Sequence, residues 1–161
     1  ILTAMLGRLP RERPRGPPEM RISMFNVLGD ISWLAFAVAA VASIVLAGVW
    51  FAVVVPRPYA LALGRVGEEA PPAGAVSAAG PIVCQLVTLL ATAVLLEALG
   101  VTGTGDALVF GLVVGVGYLA AMAFQVAINP NVPRPLLYGL VNAPYFVGTS
   151  VVASVILVAV G

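Results

Sequence analysis

The chain has 161 residues, of which 61% are hydrophobic and 9% charged, with a mean hydropathy of +1.08 and a formal charge of +1. About a quarter of the residues of a soluble domain are charged, so this composition excludes the soluble class and leaves room for one small membrane domain. The near-neutral charge argues against a nucleic-acid partner, the absence of histidine removes the commonest general base and nitrogen metal ligand, and a lone Cys84 can form no intrachain disulfide.

Residues 1–24 form an arm in which Arg8, Arg11, Arg13, Arg15 and Arg21 are interleaved with Pro10, Pro14, Pro17 and Pro18. Proline removes helix donors and the charges repel, so the arm is expected to be disordered. The chain opens on Ile1, and Met20 or Met24 would be a natural initiator, which leaves open whether the arm belongs to the functional unit. If it does, its arginines would meet anionic headgroups, each contributing about 1 kcal/mol close to the surface.

The domain proper, residues 25–161, divides into four apolar runs at about 31–55, 81–99, 107–128 and 136–160, each long enough to span a bilayer. Asp30 is placed to cap the first. Along it Ala35, Ala39, Ser43 and Ala47 recur every four residues, a stripe of small side chains that lets another helix approach closely. Trp33 at one end and Trp50 at the other read as interfacial anchors. Pro56-Arg57-Pro58-Tyr59 should stop this helix, after which the chain to Val66 would lie along the surface with Arg57 and Arg65 toward headgroups. The adjacent carboxylates Glu68 and Glu69 fall in a wet loop that offers no fixed geometry for acid–base chemistry.

The second run starts with Pro81 in the first turn, where its missing donor is harmless. Gln85, Thr88 and Thr92 then share one face, and Glu97 lies near enough to the end to reach the interface. A glycine-rich turn from Gly100 leads to Asp106, expected to cap the third run. Gly111 and Gly115 make a GxxxG in apolar surroundings, the spacing of close helix contact. At ordinary helical periodicity Tyr118, Met122 and Gln125 continue that face, which would leave Gln125 seeking a buried partner. Pro130, Pro133 and Pro135 then break the helix, and Arg134 joins the interfacial arginines.

The fourth run carries Pro144 about a third of the way along, where it should free the Leu140 carbonyl and kink the helix. Asn142, Tyr145 and Thr149 form a polar stripe, with Ser150 and Ser154 on a neighbouring face. The fold expected is therefore an all-α integral membrane four-helix bundle with short loops and a kinked fourth helix.

Trp33, the Gly48-Val49-Trp50-Phe51 to Pro58-Tyr59 to Gly64 sequence, and Arg134-Pro135-Leu136 leading into Asn142-Ala143-Pro144-Tyr145 together resemble a family of small bacterial four-span membrane proteins, domain of unknown function family 1761. The resemblance runs from about Met24 to Gly161; Pro144 and a weak glycine pattern in the second run depart from it. It implies a multi-pass protein of the bacterial cytoplasmic membrane and supplies no activity, cofactor or catalytic residue.

Two functions from different classes follow. The first is a structural or accessory subunit, contacting lipids and a second copy or a larger membrane complex through its small-residue faces. The alternative is a small-solute or ion permease whose polar site draws on Asn142, Tyr145, Gln125, Gln85 and Glu97. An enzyme is not expected, nor is a metal or cofactor. With translation from Met24, the excess of arginine in the first and third loops would place those loops in the cytoplasm and both termini outside; with the arm included, five arginines oppose three and the inference weakens or reverses.

Overall fold

The computed structural model describes residues 26–68 and 74–161. The arginine-rich arm and Glu69 of the carboxylate pair lie outside the described residues. All regular structure among those described is helical, with five helices, four of which are long and apolar enough to cross a membrane.

The first span, α1 (Trp33–Val54), is α-helical to Val49 and closes with a π-turn over Trp50–Val54. Its cap is Ser32 and not Asp30: Ser32 is extended and its hydroxyl accepts the Ala35 N–H at 3.3 Å. Asp30 instead follows a short 3-10 turn, Asn26–Gly29, and bonds back to the Val27 carbonyl at 3.0 Å. Val55 leaves helical geometry, with φ −124° and ψ 26°. The prolines expected to end the helix therefore start a new one, α2 (Pro56–Ala62), because a first-turn residue needs no N–H.

The second span, α3, runs Ala75–Leu99 and so begins six residues before the expected Pro81. Ala75 to Gly80 are small or apolar and compatible with helix, and Pro81 removes only one bond, the one to the Ser77 carbonyl, from a helix of 25 residues. At the far end Gly100 takes φ 65°, and the Val101 N–H reaches the Leu96 carbonyl at 3.0 Å. The third span, α4 (Thr104–Ala127), also starts early. Gly103 holds the cap position, so Asp106 lies inside the first turn, where its charge still faces the positive end of the helix dipole. The fourth span, α5 (Pro135–Val160), is continuous through Pro144.

The last of these is the hub: α1, α2, α3 and α4 all pack against α5, and α3 packs also on α1. One core sets leucines among alanines: Ala35, Ala39 and Ala40 of α1, Leu89, Ala93 and Leu96 of α3, and Ala153 and Leu157 of α5. A second contact pins α4 to α5. A Cβ added at Gly111 would lie 2.7 Å from the Val151 Cα, and one at Gly115 would lie 2.9 Å from the Val147 Cα, so the two backbones meet where only glycine fits. Large apolar side chains such as Leu34, Val41, Val83, Val109 and Leu136 point outward, as suits a lipid surround.

Within α4 a π-turn over Gly115–Ala120 changes which residues face α5. The buried positions are Ala107, Gly111, Gly115, then Ala120, Ala123 and Ala127, so one interval of five interrupts the steps of three and four. The additional residue in the turn carries Tyr118, Met122 and Gln125 off the contact face, and all three are exposed. This corrects the expectation that Gln125 points into the bundle.

Candidate functional site

The polar side chains of α5 lie along the interior of the bundle. Asn142, Tyr145 and Thr149 are buried, as are Ser150 and Ser154. Helical spacing of three and four puts the first three on one stripe, and Ser150 lies against Gly115 of α4. The Asn142 amide donates to the Tyr138 carbonyl at 2.7 Å, and the Ser154 hydroxyl to the Ser150 carbonyl at 2.8 Å. Each bond satisfies a donor within its own helix, the usual resort of a polar group surrounded by hydrocarbon.

Among the described residues three buried hydroxyls have no such bond. Ser43 of α1 and Thr149 and Ser150 of α5 are buried with their oxygens unpartnered. Ser43 also lines a cavity of about 70 Å³, together with Ile44 and Ala47 of α1, Pro81, Ile82 and Gln85 of α3, and Tyr145 of α5. The space holds water-sized occupants and offers them a hydroxyl, an amide and a phenol.

Aromatic residues close one end of this seam. The Phe51 ring stands edge-on to Tyr145 at 5.1 Å and to Tyr59 at 5.2 Å, and Tyr59 lies 5.9 Å from Tyr138. Burial, and then the neighbouring Tyr138, push the Tyr59 phenol above its ordinary value, while Arg65 pulls the other way. Trp50 belongs to this junction: it is half-buried, and its indole N–H donates to the Val141 carbonyl at 3.0 Å. That carbonyl is next to Leu140, whose own helix donor Pro144 has removed. Trp50 therefore fastens the π-turn of α1 to α5 at the proline, a role beyond that of an interfacial anchor. Trp33 remains an exposed residue near a helix end.

Of the five candidate polar residues, three converge. Asn142 and Tyr145 lie in the seam and Gln85 shares the cavity with Tyr145. Gln125 faces outward, for the reason given above. Glu97 is exposed at the other end of the molecule, where it lines a mouth of about 450 Å³ with Asp30, Ser32, Thr102 and Gly161. Among the small residues, Ala35, Ala39 and Ser43 are buried within the chain and Ala47 is partly buried. Ser43 has the clearest unassigned polar role. Its one signal in the sequence is that it is the sole hydroxyl in a stripe of alanines.

The described arginines gather at one end: Arg57, Arg65 and Arg134, with Glu68 beside them, fall where α1 and α4 finish and α3 and α5 begin, whereas Asp30, Glu97 and Asp106 fall at the opposite end. Among the described residues no group of three or more Cys, Asp or Glu side chains is placed to hold a metal.

The architecture is thus that of a multi-pass membrane protein: four spans, an alanine-rich core and a buried polar seam. The chain belongs to the family described as Protein of unknown function (DUF1761), whose model matches residues 34–158 and so reaches all four spans. No curated protein and no solved structure matches the chain.

Proposed function

We propose that this protein is a non-enzymatic subunit of the cytoplasmic membrane that assembles with a second copy of itself through the first half of α3. The observation that carries the reading is Gln85. It lies near the middle of a 25-residue span, it is only partly covered, and among the described residues its amide has no hydrogen bond, whereas Thr88 and Thr92 on the same helix bond back to the Cys84 and Thr88 carbonyls. No residue from Ala75 to Thr88 is fully buried, and Val76, Val83 and Val87 stand exposed, so one side of this half is open to another surface. An amide both donates and accepts, which makes it complementary to its own copy across a two-fold axis. The stripes of small residues are occupied inside the chain and leave α3 as the face for assembly.

The natural Cys84 is exposed beside Gln85 and supplies the test. Oxidative cross-linking in native membranes should give a species of twice 16.4 kDa, and Gln85→Leu should weaken it. A heavier heterogeneous adduct would identify a larger complex as the partner, and an uncross-linked chain that also runs as a monomer by native mass would end the proposal.

The cavity between Ser43, Gln85 and Tyr145 supports a second reading, a pathway for water or small ions. Its volume is too small for an organic solute. Flux into proteoliposomes that is absent, or unchanged by Tyr145→Phe and Asn142→Ala, would remove that reading.

Within residues 25–161 all the arginines, Arg57, Arg65 and Arg134, lie at one end, which would then face the cytoplasm, with both termini outside, by the bias of basic residues toward the cytoplasmic side. A cysteine placed at Glu68 in a Cys84→Ala background should then be labelled only after the membrane is made permeable. Labelling from the outer side would reverse the orientation.

A further inference from the structure

The arginines at that end do more than stand near a surface. A groove of about 690 Å³ runs between α2, the turn after it and the first turn of α5, lined by Pro56, Arg57, Leu61, Arg65, Val66 and Leu137 among others. Its volume lies within the range of about 300–1,000 Å³ typical of small-ligand sites. Pro56 follows directly on the last turn of α1, and Leu137 belongs to the first turn of α5, so the groove is at the depth where two spans leave the hydrocarbon. Its lining is mostly apolar, with two arginines and a single acidic residue, Glu68. Gly64, at φ 71°, brings the turn against Pro133 of the next loop, where a Cβ would lie 3.2 Å from the Pro133 Cγ.

We infer that this groove binds one anionic phospholipid of the surrounding membrane, its phosphate held by Arg57 and Arg65 and the start of its acyl chains lying on Leu61, Val66 and Leu137. The chemistry selects that occupant. A guanidinium pair favours a phosphate oxyanion, an apolar floor at the edge of the hydrocarbon favours a molecule that is part acyl chain, and a zwitterionic headgroup would set its own cation against the arginines. The site is distinct from the α3 face and does not depend on whether that face assembles.

The test is native mass spectrometry of the full chain in mild detergent, titrated with phosphatidylglycerol or phosphatidylcholine. One phosphatidylglycerol should be retained per chain at concentrations where phosphatidylcholine is not. Arg57→Gln and Arg65→Gln should each weaken retention about fivefold, and the double variant about 30-fold. Arg134→Gln, on the same membrane face but outside the groove, should change it by less than about twofold. The charge-preserving Arg57→Lys and Arg65→Lys should retain most of the binding, which separates loss of the site from loss of the fold, and helical circular dichroism checks each variant. Equal retention of phosphatidylcholine, an equal loss in Arg134→Gln, or displacement of the lipid by millimolar inorganic phosphate would each overturn the inference: the first two would mean a general surface attraction and the third a site for free phosphate.

Discussion

The two helices that flank the α1–α5 pair are held in opposite ways. Along its whole length α4 grips α5, through buried Ala107, Gly111, Gly115, Ala120, Ala123 and Ala127, and at its end the Phe124 ring presses on Gly139. By contrast the buried residues of α3, Leu89, Thr92, Ala93 and Leu96, all fall in its second half, and the first half touches its neighbours only through partly covered side chains such as Gln85 and Leu86. Exclusion of water does not drive helices together in lipid, so a helix adheres where backbones come close and side chains fit, and is free elsewhere. The free half of α3 is also the part that carries the interior proline and the unpartnered amide. Stability is thus concentrated on one flank and binding capacity on the other.

The largest break in that contrast is expected from Gly111→Leu. A side chain there meets the Val151 Cα and the Ser150 carbonyl, parts of the α5 backbone that cannot turn aside. Overpacking at such a point should lower stability by about 3 kcal/mol, read from reversible unfolding in mixed micelles. Unchanged stability would mean that α4 and α5 are not in backbone contact. Next comes Leu89→Ala, at the one place where α3 is firmly held: the side chain is 1% exposed, and the cavity left behind should cost about 2 kcal/mol in the same assay.

A smaller effect is expected where the π-turn of α1 meets the proline of α5. Trp50→Phe keeps an aromatic ring at this position but removes the 3.0 Å bond to the Val141 carbonyl, and about 1 kcal/mol should be lost with that bond. If the loss is nil, that carbonyl has another donor and Trp50 is held by packing alone.

These three positions also mark how far the sequence could be read. Hydropathy and the proline clusters were enough for four spans and an all-helical fold, and spacings of three and four were enough to put Asn142, Tyr145 and Thr149 on one buried stripe. The same arithmetic misplaced Gln125, because periodicity assumes an uninterrupted ladder and the π-turn at Gly115–Ala120 inserts one residue into it. Gly115-Val116-Gly117 is the local hint, since two glycines in three residues loosen a helix, but a loosened helix has several outcomes and only packing against α5 chooses among them. Pro81 misled in the other direction. A proline is a good boundary signal where the preceding residues are polar; preceded by Ala78-Ala79-Gly80, it is tolerated inside a longer helix. Which helices touch was not legible at all, since every span is apolar over most of its surface and neither the polar nor the small-residue stripes say which partner they receive.

The smallest effect sharpens the contrast most. Val83 lies on the free half of α3 and is 56% exposed, so Val83→Ala removes two methyl groups from a surface that meets lipid. In water such a truncation would shift the balance between buried and exposed apolar area; in lipid both states of the helix keep the side chain in hydrocarbon. Stability of the isolated chain should therefore change by less than about 0.5 kcal/mol, against about 2 kcal/mol for Leu89→Ala six residues further along the same helix. The two variants must be compared twice, in dilute micelles and in native membranes. In micelles the difference between them measures how unevenly α3 is fastened to its own chain. In the membrane, a Val83→Ala cost that appears only there would mean that the free half is covered by another surface, and its dependence on Gln85 would say whether the amide is part of that contact.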